Sequence, residues 1–402
     1  MRAEMFAMWL CGASFFIQFL AMAFASFPLQ THLRKLMEPS SASLVAGLTP
    51  IATCVAYLMF RVADARQWHR FPRRSLAIAA LLLAVFQGLM GWQINRVDSG
   101  HWILGPAIDT GACLLLMGCA NASCMILLNH IAVATLKEFA YVVRAAGTAG
   151  FMVAVILLGV LSHNEEMIER NHLFIAGAIS LVHVSLAWLG VWYLGNTMCN
   201  SIGHSAQKAS VGIVGQGEHG SSVKGSSLTW WGLLILVWLV SMCEMAYGLY
   251  SHEFMTKYYG PLGYYLFAAG LFLEIVLLLI VSRAAELRSQ LLFLGPLGWI
   301  LLMTGGLLAI GGLPLFGALT LAMALNCPFQ MSVSEHVHRI DARVLGIASV
   351  SLAQSLGYIS AAGLSSLVSR AETGPRNLWI CMIPVAALAM LLSVWKLRQG
   401  RH

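Results

Sequence analysis

The sequence predicts an all-α polytopic membrane protein, with about twelve spanning helices arranged as two six-helix bundles. Three observations predict this. The side chains are too apolar for water, the apolar runs recur at bilayer length, and Lys and Arg concentrate in alternate loops.

Apolar residues make up 59% of the 402-residue chain and charged residues only 10%. Soluble domains carry about 25% charged residues. A soluble chain of this length has too little interior to hide so much apolar surface, whereas a bilayer solvates it. The net charge of +7 comes from basic residues scattered through short loops, without the continuous stripe that nucleic acid requires. The nine cysteines are odd in number, lie mostly in apolar runs and show no CxxC or Cys/His spacing. They read as small buried hydrophobes. Without a nucleophile constellation, metal cluster or nucleotide-binding loop, the sequence suggests neither catalysis nor a cofactor.

Apolar runs of spanning length fall at 5–30, 41–61, 75–94, 103–130, 140–162, 172–195, 229–255, 261–282, 289–309, 312–334, 344–369 and 377–396. The first exceeds the apolar core of a cleaved signal and suits a span. The polar Gly/Ser-rich stretch containing GQGEHGSSVKGSS reads as a linker. It divides the chain into residues 1–195, a linker at 196–228, and residues 229–402. Of the 24 Lys and Arg residues, sixteen lie on the side shared by both termini and the linker, seven lie on the other, and Arg144 lies within a span. The positive-inside rule therefore places termini and linker in the cytoplasm of a cell membrane.

Ionisable residues inside spans are costly and mark candidate sites. Arg144 (span 5), Glu244 (span 7) and Glu274 (span 8) stand out, with Asp109 near the outer start of span 4 a weaker fourth. Arg144, Thr148 and Phe151 recur at i, i+4 and i+7, one helical face. A guanidinium, a hydroxyl and an aromatic ring on one stripe can hold a polar, ring-bearing solute. Gly147 and Gly150 beside them permit close helix approach. The alternative for Arg144 is snorkelling to the cytoplasmic interface. Glu274, within LFLEIVLLLI, has no neighbouring charge on its helix. It is a proton-exchanging group or a protonated structural carboxyl bonded to another helix. Glu244, Tyr247 and Ser251 share a face that suits a sugar or nucleobase, with Tyr250, His252 and Glu253 nearby. Gln18, Asn121, Asn129, Asn326, Gln330 and Gln354 are interhelical bridges or ligand contacts, and His130 and His183 read as structural.

At these residues the chain resembles the nucleoside:H+ symporter family of the major facilitator superfamily. The resemblance is tightest from Leu127 to Phe151. There Asn129 precedes a short linker and then Val143, Arg144, Gly147, Thr148, Gly150 and Phe151. Glu274 fits the family's span 8 carboxylate. The segment from Glu335 to Gly363 resembles its acidic residue, Arg and small-residue helix, and Asp64 resembles the loop after span 2. The chain departs from the family at span 7, where Glu244 and Tyr247 replace a Gln/Asn pair. It departs again at span 10, where Asn326, Phe329 and Gln330 stand in place of an aromatic next to an Asp. Related oligosaccharide and aromatic-acid symporters share a version of the span 5 pattern.

The resemblance implies a two-bundle transporter of a bacterial inner membrane, monomeric and without a cofactor, that takes up a nucleoside with a proton. It implies that Arg144, Thr148, Phe151 and Glu274 line the substrate cavity. Asn129, Glu244, Tyr247 and Gln330 complete the expected binding set, with Glu274 and Glu244 the proton-coupling candidates. An oligosaccharide or aromatic-acid symporter, and a membrane receptor that kept the fold without transporting, are the alternatives.

Overall fold

A chain in hydrocarbon must satisfy its own amides, and helices do this within each segment. The computed structural model describes residues 2–36, 45, 47–65, 72–136, 139–161, 165–194, 230–247, 262–308, 313–368 and 374–399. Twelve helices lie in these stretches. The first six are α1 (Arg2–Leu36), α2 (Leu48–Ala65), α3 (Pro72–Asp98), α4 (Pro106–Ile131), α5 (Ala140–Leu161) and α6 (Glu165–Leu194). The second six are α7 (Trp230–Tyr247), α8 (Leu262–Arg283), α9 (Ala285–Leu308), α10 (Leu313–Ile340), α11 (Val344–Val368) and α12 (Gly374–Gln399). Eight of them are long and apolar enough to cross a membrane, and shorter apolar stretches occur at Leu48–Val62 and Ile380–Trp395. The protein is a multi-pass membrane protein. Tyr250, Ser251, His252, Glu253 and the linker fall outside the described residues, as does the side chain of Asp64.

Each sequence run has its helix, with two informative differences. The run ending at 334 continues to Ile340 as part of α10, because Glu335 finds partners. It accepts a hydrogen bond from Tyr141 Oη at 3.1 Å, pairs with Arg339 at 2.6 Å and lies 3.5 Å from Arg288. A satisfied carboxylate need not end a helix. At its other end, α4 runs into a π-helical turn, Ala132–Leu136.

The outer start of α4 shows how local chemistry sets an end. Gly105 sits at φ 132°, a conformation that L side chains rarely adopt, and Pro106 follows at the first helical turn. Asp109 accepts from the amides of Ile103 at 2.6 Å and Leu104 at 3.3 Å. The weaker fourth candidate is thus tied to the turn before α4.

Within the first six helices α1 packs on α5 and α6, and α3 on α4 and α6; within the second, α9 packs on α10 and α12, and α8 on α10. The two sets meet through α5 against α8 and α2 against α11. Gly150 explains the closeness of α1 and α5. A Cβ there would collide with the carbonyl of Phe16, while one at Gly147 would lie 3.2 Å from the Phe19 ring. Large apolar side chains such as Leu81, Trp188, Phe272 and Leu391 face outward, which is how a lipid-solvated surface looks. Pro28, Pro296, Pro328 and Pro384 lie inside helices. Pro328 cannot donate to the carbonyl four residues earlier, so it loosens α10 beside Asn326, Cys327 and Gln330.

Candidate functional site

A cavity of about 520 Å³ lies between the two sets of helices. Its wall includes all eight residues that the sequence nominated: Asn129, Arg144, Thr148, Phe151, Glu244, Tyr247, Glu274 and Gln330. These come from α4, α5, α7, α8 and α10, and the fold brings them together across large sequence separations.

The α5 face carries the first cluster. Thr148 Oγ1 donates to Glu274 Oε1 at 2.6 Å, a buried bond that joins α5 to α8. A hydrogen bond to a charged group contributes about 1.5–3 kcal/mol. Arg144 is only 8% exposed, so it does not snorkel. Its Nε donates to Cys327 Sγ at 3.0 Å, and its guanidinium carbon lies 4.2 Å from the Phe19 ring centroid and 5.7 Å from that of Phe15. The flat guanidinium is held by stacking on one side and a polarisable acceptor on another. Its Nη1 is buried and has no hydrogen-bond partner. Phe151 packs against Phe267 of α8, ring centroids 6.3 Å apart.

Glu244 anchors the second cluster. It accepts from Asn326 Nδ2 at 2.9 Å and Gln330 Nε2 at 3.3 Å, both on α10. Tyr358 and Gln354 of α11 also face its carboxylate, and Gln354 Nε2 donates to Tyr358 Oη at 2.7 Å. Tyr247 packs on Trp299 of α9 with centroids 6.1 Å apart. Neutral donors, rather than a cation, surround this carboxylate.

Sequence reasoning missed Phe19, Trp299, Cys327 and Tyr358. Each is an apolar or weakly polar residue in an apolar span, where packing and ligand contact leave the same signature. Pro328 and the Asn326/Gln330 spacing on α10 were the available signal for Cys327. Among the other amides, Gln18 donates to Asn121 at 2.8 Å, bridging α1 and α4. His183 is fully buried, and His130 packs on His338 with centroids 6.0 Å apart.

No family model matches the chain, and no curated protein matches it. Solved structures do. The nucleoside transporter NupG is 13% identical, with 98% of this chain and 99% of that one covered at a TM-score of 0.63. The proton:xylose symporter XylE bound to 6-bromo-6-deoxy-D-glucose is 12% identical, covering 97% and 96% at a TM-score of 0.70. A bacterial homologue of the human drug peptide transporters is 11% identical, covering 98% of both chains at 0.66. The chain has the major facilitator fold. In this facilitator fold the cavity occupies the seam between the two bundles, and the polar groups described above face one another across it.

Among the described residues that line the facilitator cavity, the charged groups are Arg144, Glu244 and Glu274. One guanidinium against two carboxylates disfavours an anionic solute. A neutral or cationic solute meets no such repulsion.

Proposed function

We propose that the chain is a secondary transporter that takes up nucleosides with protons, by alternating access about this cavity. The observation that carries the reading is the Thr148–Glu274 hydrogen bond across the bundle seam, next to the unpartnered Nη1 of Arg144. A carboxyl that ties the bundles together, in a cavity that Arg144 also lines, can exchange its contacts for those of a solute. Arg144 and Thr148 hold polar groups of the nucleoside, Phe151 packs on it, and Asn129 and Gln330 complete the wall. Glu274 binds solute and carries the proton, with Glu244 the second candidate. The two units are residues 1–195 and 229–402, joined by the linker at 196–228. Both termini and the linker lie in the cytoplasm of a bacterium, and the chain works as a monomer in its inner membrane.

The test is uptake of radiolabelled uridine into proteoliposomes under an imposed proton gradient, with xylose, a dipeptide and an aromatic acid as competitors. Saturable, gradient-stimulated uridine uptake that the other solutes leave intact is expected. Xylose accumulation without uridine uptake would replace the nucleoside by a sugar. Binding without flux of any solute would favour a receptor.

A further inference from the structure

The two bundles grip Arg144 unequally. On its own side the guanidinium lies over two buried rings of α1, 4.2 Å from the Phe19 centroid and 5.7 Å from that of Phe15. Across the seam it reaches α10 through a hydrogen bond from Nε to Cys327 Sγ at 3.0 Å. Glu244 and Glu274 line the same cavity, yet among the described residues neither forms an ion pair with Arg144. Sulfur is a weak acceptor, whereas a hydrogen bond to a charged acceptor is about twice as strong as a neutral one. The cation of the cavity is therefore tied to the second bundle by one of the weakest acceptors a side chain offers. The helices that carry the bond meet through side chains. α5 packs along α8, and α10 packs on α8, α9 and α11, while Arg144–Cys327 and Tyr141–Glu335 span from α5 to α10. Pro328, next to Cys327, removes an amide donor from α10 at this point.

We infer that Cys327 is the release point of the seam, a positioning residue whose sulfur holds Arg144 weakly enough for the bond to break in each transport cycle. This rests on the transporter reading above and deepens it. Phe15, Phe19 and Arg144 travel with the first bundle, because α1 and α5 touch at Gly150. Cys327 travels with α10. When the bundles rock about the cavity, the guanidinium stays stacked on its rings and the N–H···S bond yields. A stronger acceptor at this position leaves Arg144, Thr148 and Glu274 in place for the solute and raises the barrier to rocking.

The experiment compares Cys327→Asn with Cys327→Asp in the full-length protein, reconstituted in proteoliposomes with radiolabelled uridine. The two side chains have nearly the same shape and differ in charge, so a steric effect moves both alike. Equilibrium binding and counterflow are measured on equal amounts of each. Counterflow should slow about threefold in Cys327→Asn, which offers a neutral oxygen, and about a hundredfold in Cys327→Asp, whose buried pair with Arg144 must be broken. Uridine affinity should stay within about tenfold of wild type in both, so that the loss falls on rate rather than on binding. In an Arg144→Gln background the Asn and Asp variants should exchange at the same rate, because one partner of the pair is gone. Equal slowing by Asn and Asp would overturn the inference, as would an Asn–Asp difference that persists without Arg144. If Cys327→Asp folds poorly, Cys327→Asn carries the test alone, and counterflow as fast as wild type in that variant would overturn the inference. A wild-type protein that exchanges xylose or a dipeptide and not uridine would remove the nucleoside reading alone, and the same comparison is then made with that solute. Exchange of none of them would overturn the transporter reading and this inference with it.

Discussion

Replacing Glu274 by Gln separates coupling from binding. The Thr148–Glu274 bond measures 2.6 Å and is buried. The amide oxygen of Gln can still accept it, as a neutral bond with about half the strength of a charge-assisted one. That loss is about 1 kcal/mol, or about fivefold in solute affinity. The effect on coupling is of another kind. With one proton carried per solute, a gradient of about one pH unit sustains about tenfold accumulation, since a decade of concentration is worth 1.36 kcal/mol. Gln does not titrate, so Glu274→Gln should accumulate nothing, with an internal-to-external ratio that settles near one. Equal amounts of purified wild-type and variant protein in proteoliposomes supply both readings. Counterflow under no gradient measures binding and conformational exchange, and gradient-driven uptake measures coupling. The expected pattern is counterflow reduced by no more than about fivefold with accumulation abolished. Accumulation that survives in Glu274→Gln would refute the reasoning and move the proton to Glu244. Loss of both modes together would leave Glu274 a binding group only.

Arg144→Lys keeps the charge but loses the planar stacking on Phe19 and the Nε bond to Cys327. It should lower uridine uptake about tenfold or more at equal protein, and normal uptake would remove Arg144 from the site. Gly150→Ala places a methyl against the Phe16 carbonyl; overpacking of about 1–3 kcal/mol should lower the melting temperature of the purified protein, and an unchanged melting temperature would mean that α1 yields freely. A reporter fused after Ser210 should show activity typical of the cytoplasm, and periplasmic activity would invert the topology.

Much of the architecture was legible because membrane helices announce themselves. Each apolar run is set by the bilayer's thickness, and the run at 140–162 coincides almost to the residue with α5, Ala140–Leu161. The stripe of Arg144, Thr148 and Phe151 was legible because helical periodicity needs no tertiary information. Its partners were not. Cys327 lies 183 residues from Arg144, and Glu274 lies 126 from Thr148, so only the folded seam reveals these pairs. Trp299 was invisible for a different reason: a tryptophan in an apolar span is ordinary, and its unsatisfied N–H appears only once its surroundings are known. Glu335 misled in the opposite direction, since an isolated acidic residue looks like a helix end until Tyr141, Arg288 and Arg339 are placed around it.

Tyr141, Arg144, Thr148 and Phe151 form a single line along α5, at i, i+3, i+7 and i+10. Each meets a residue of the second bundle: Glu335, Cys327, Glu274 and Phe267 in turn. At 1.5 Å of rise per residue this line is about 15 Å long. One helix therefore touches both the cavity and the seam at Glu335. A small tilt of α5 that relaxes its grip on Glu274 also shifts Tyr141 against Glu335, about two helical turns away.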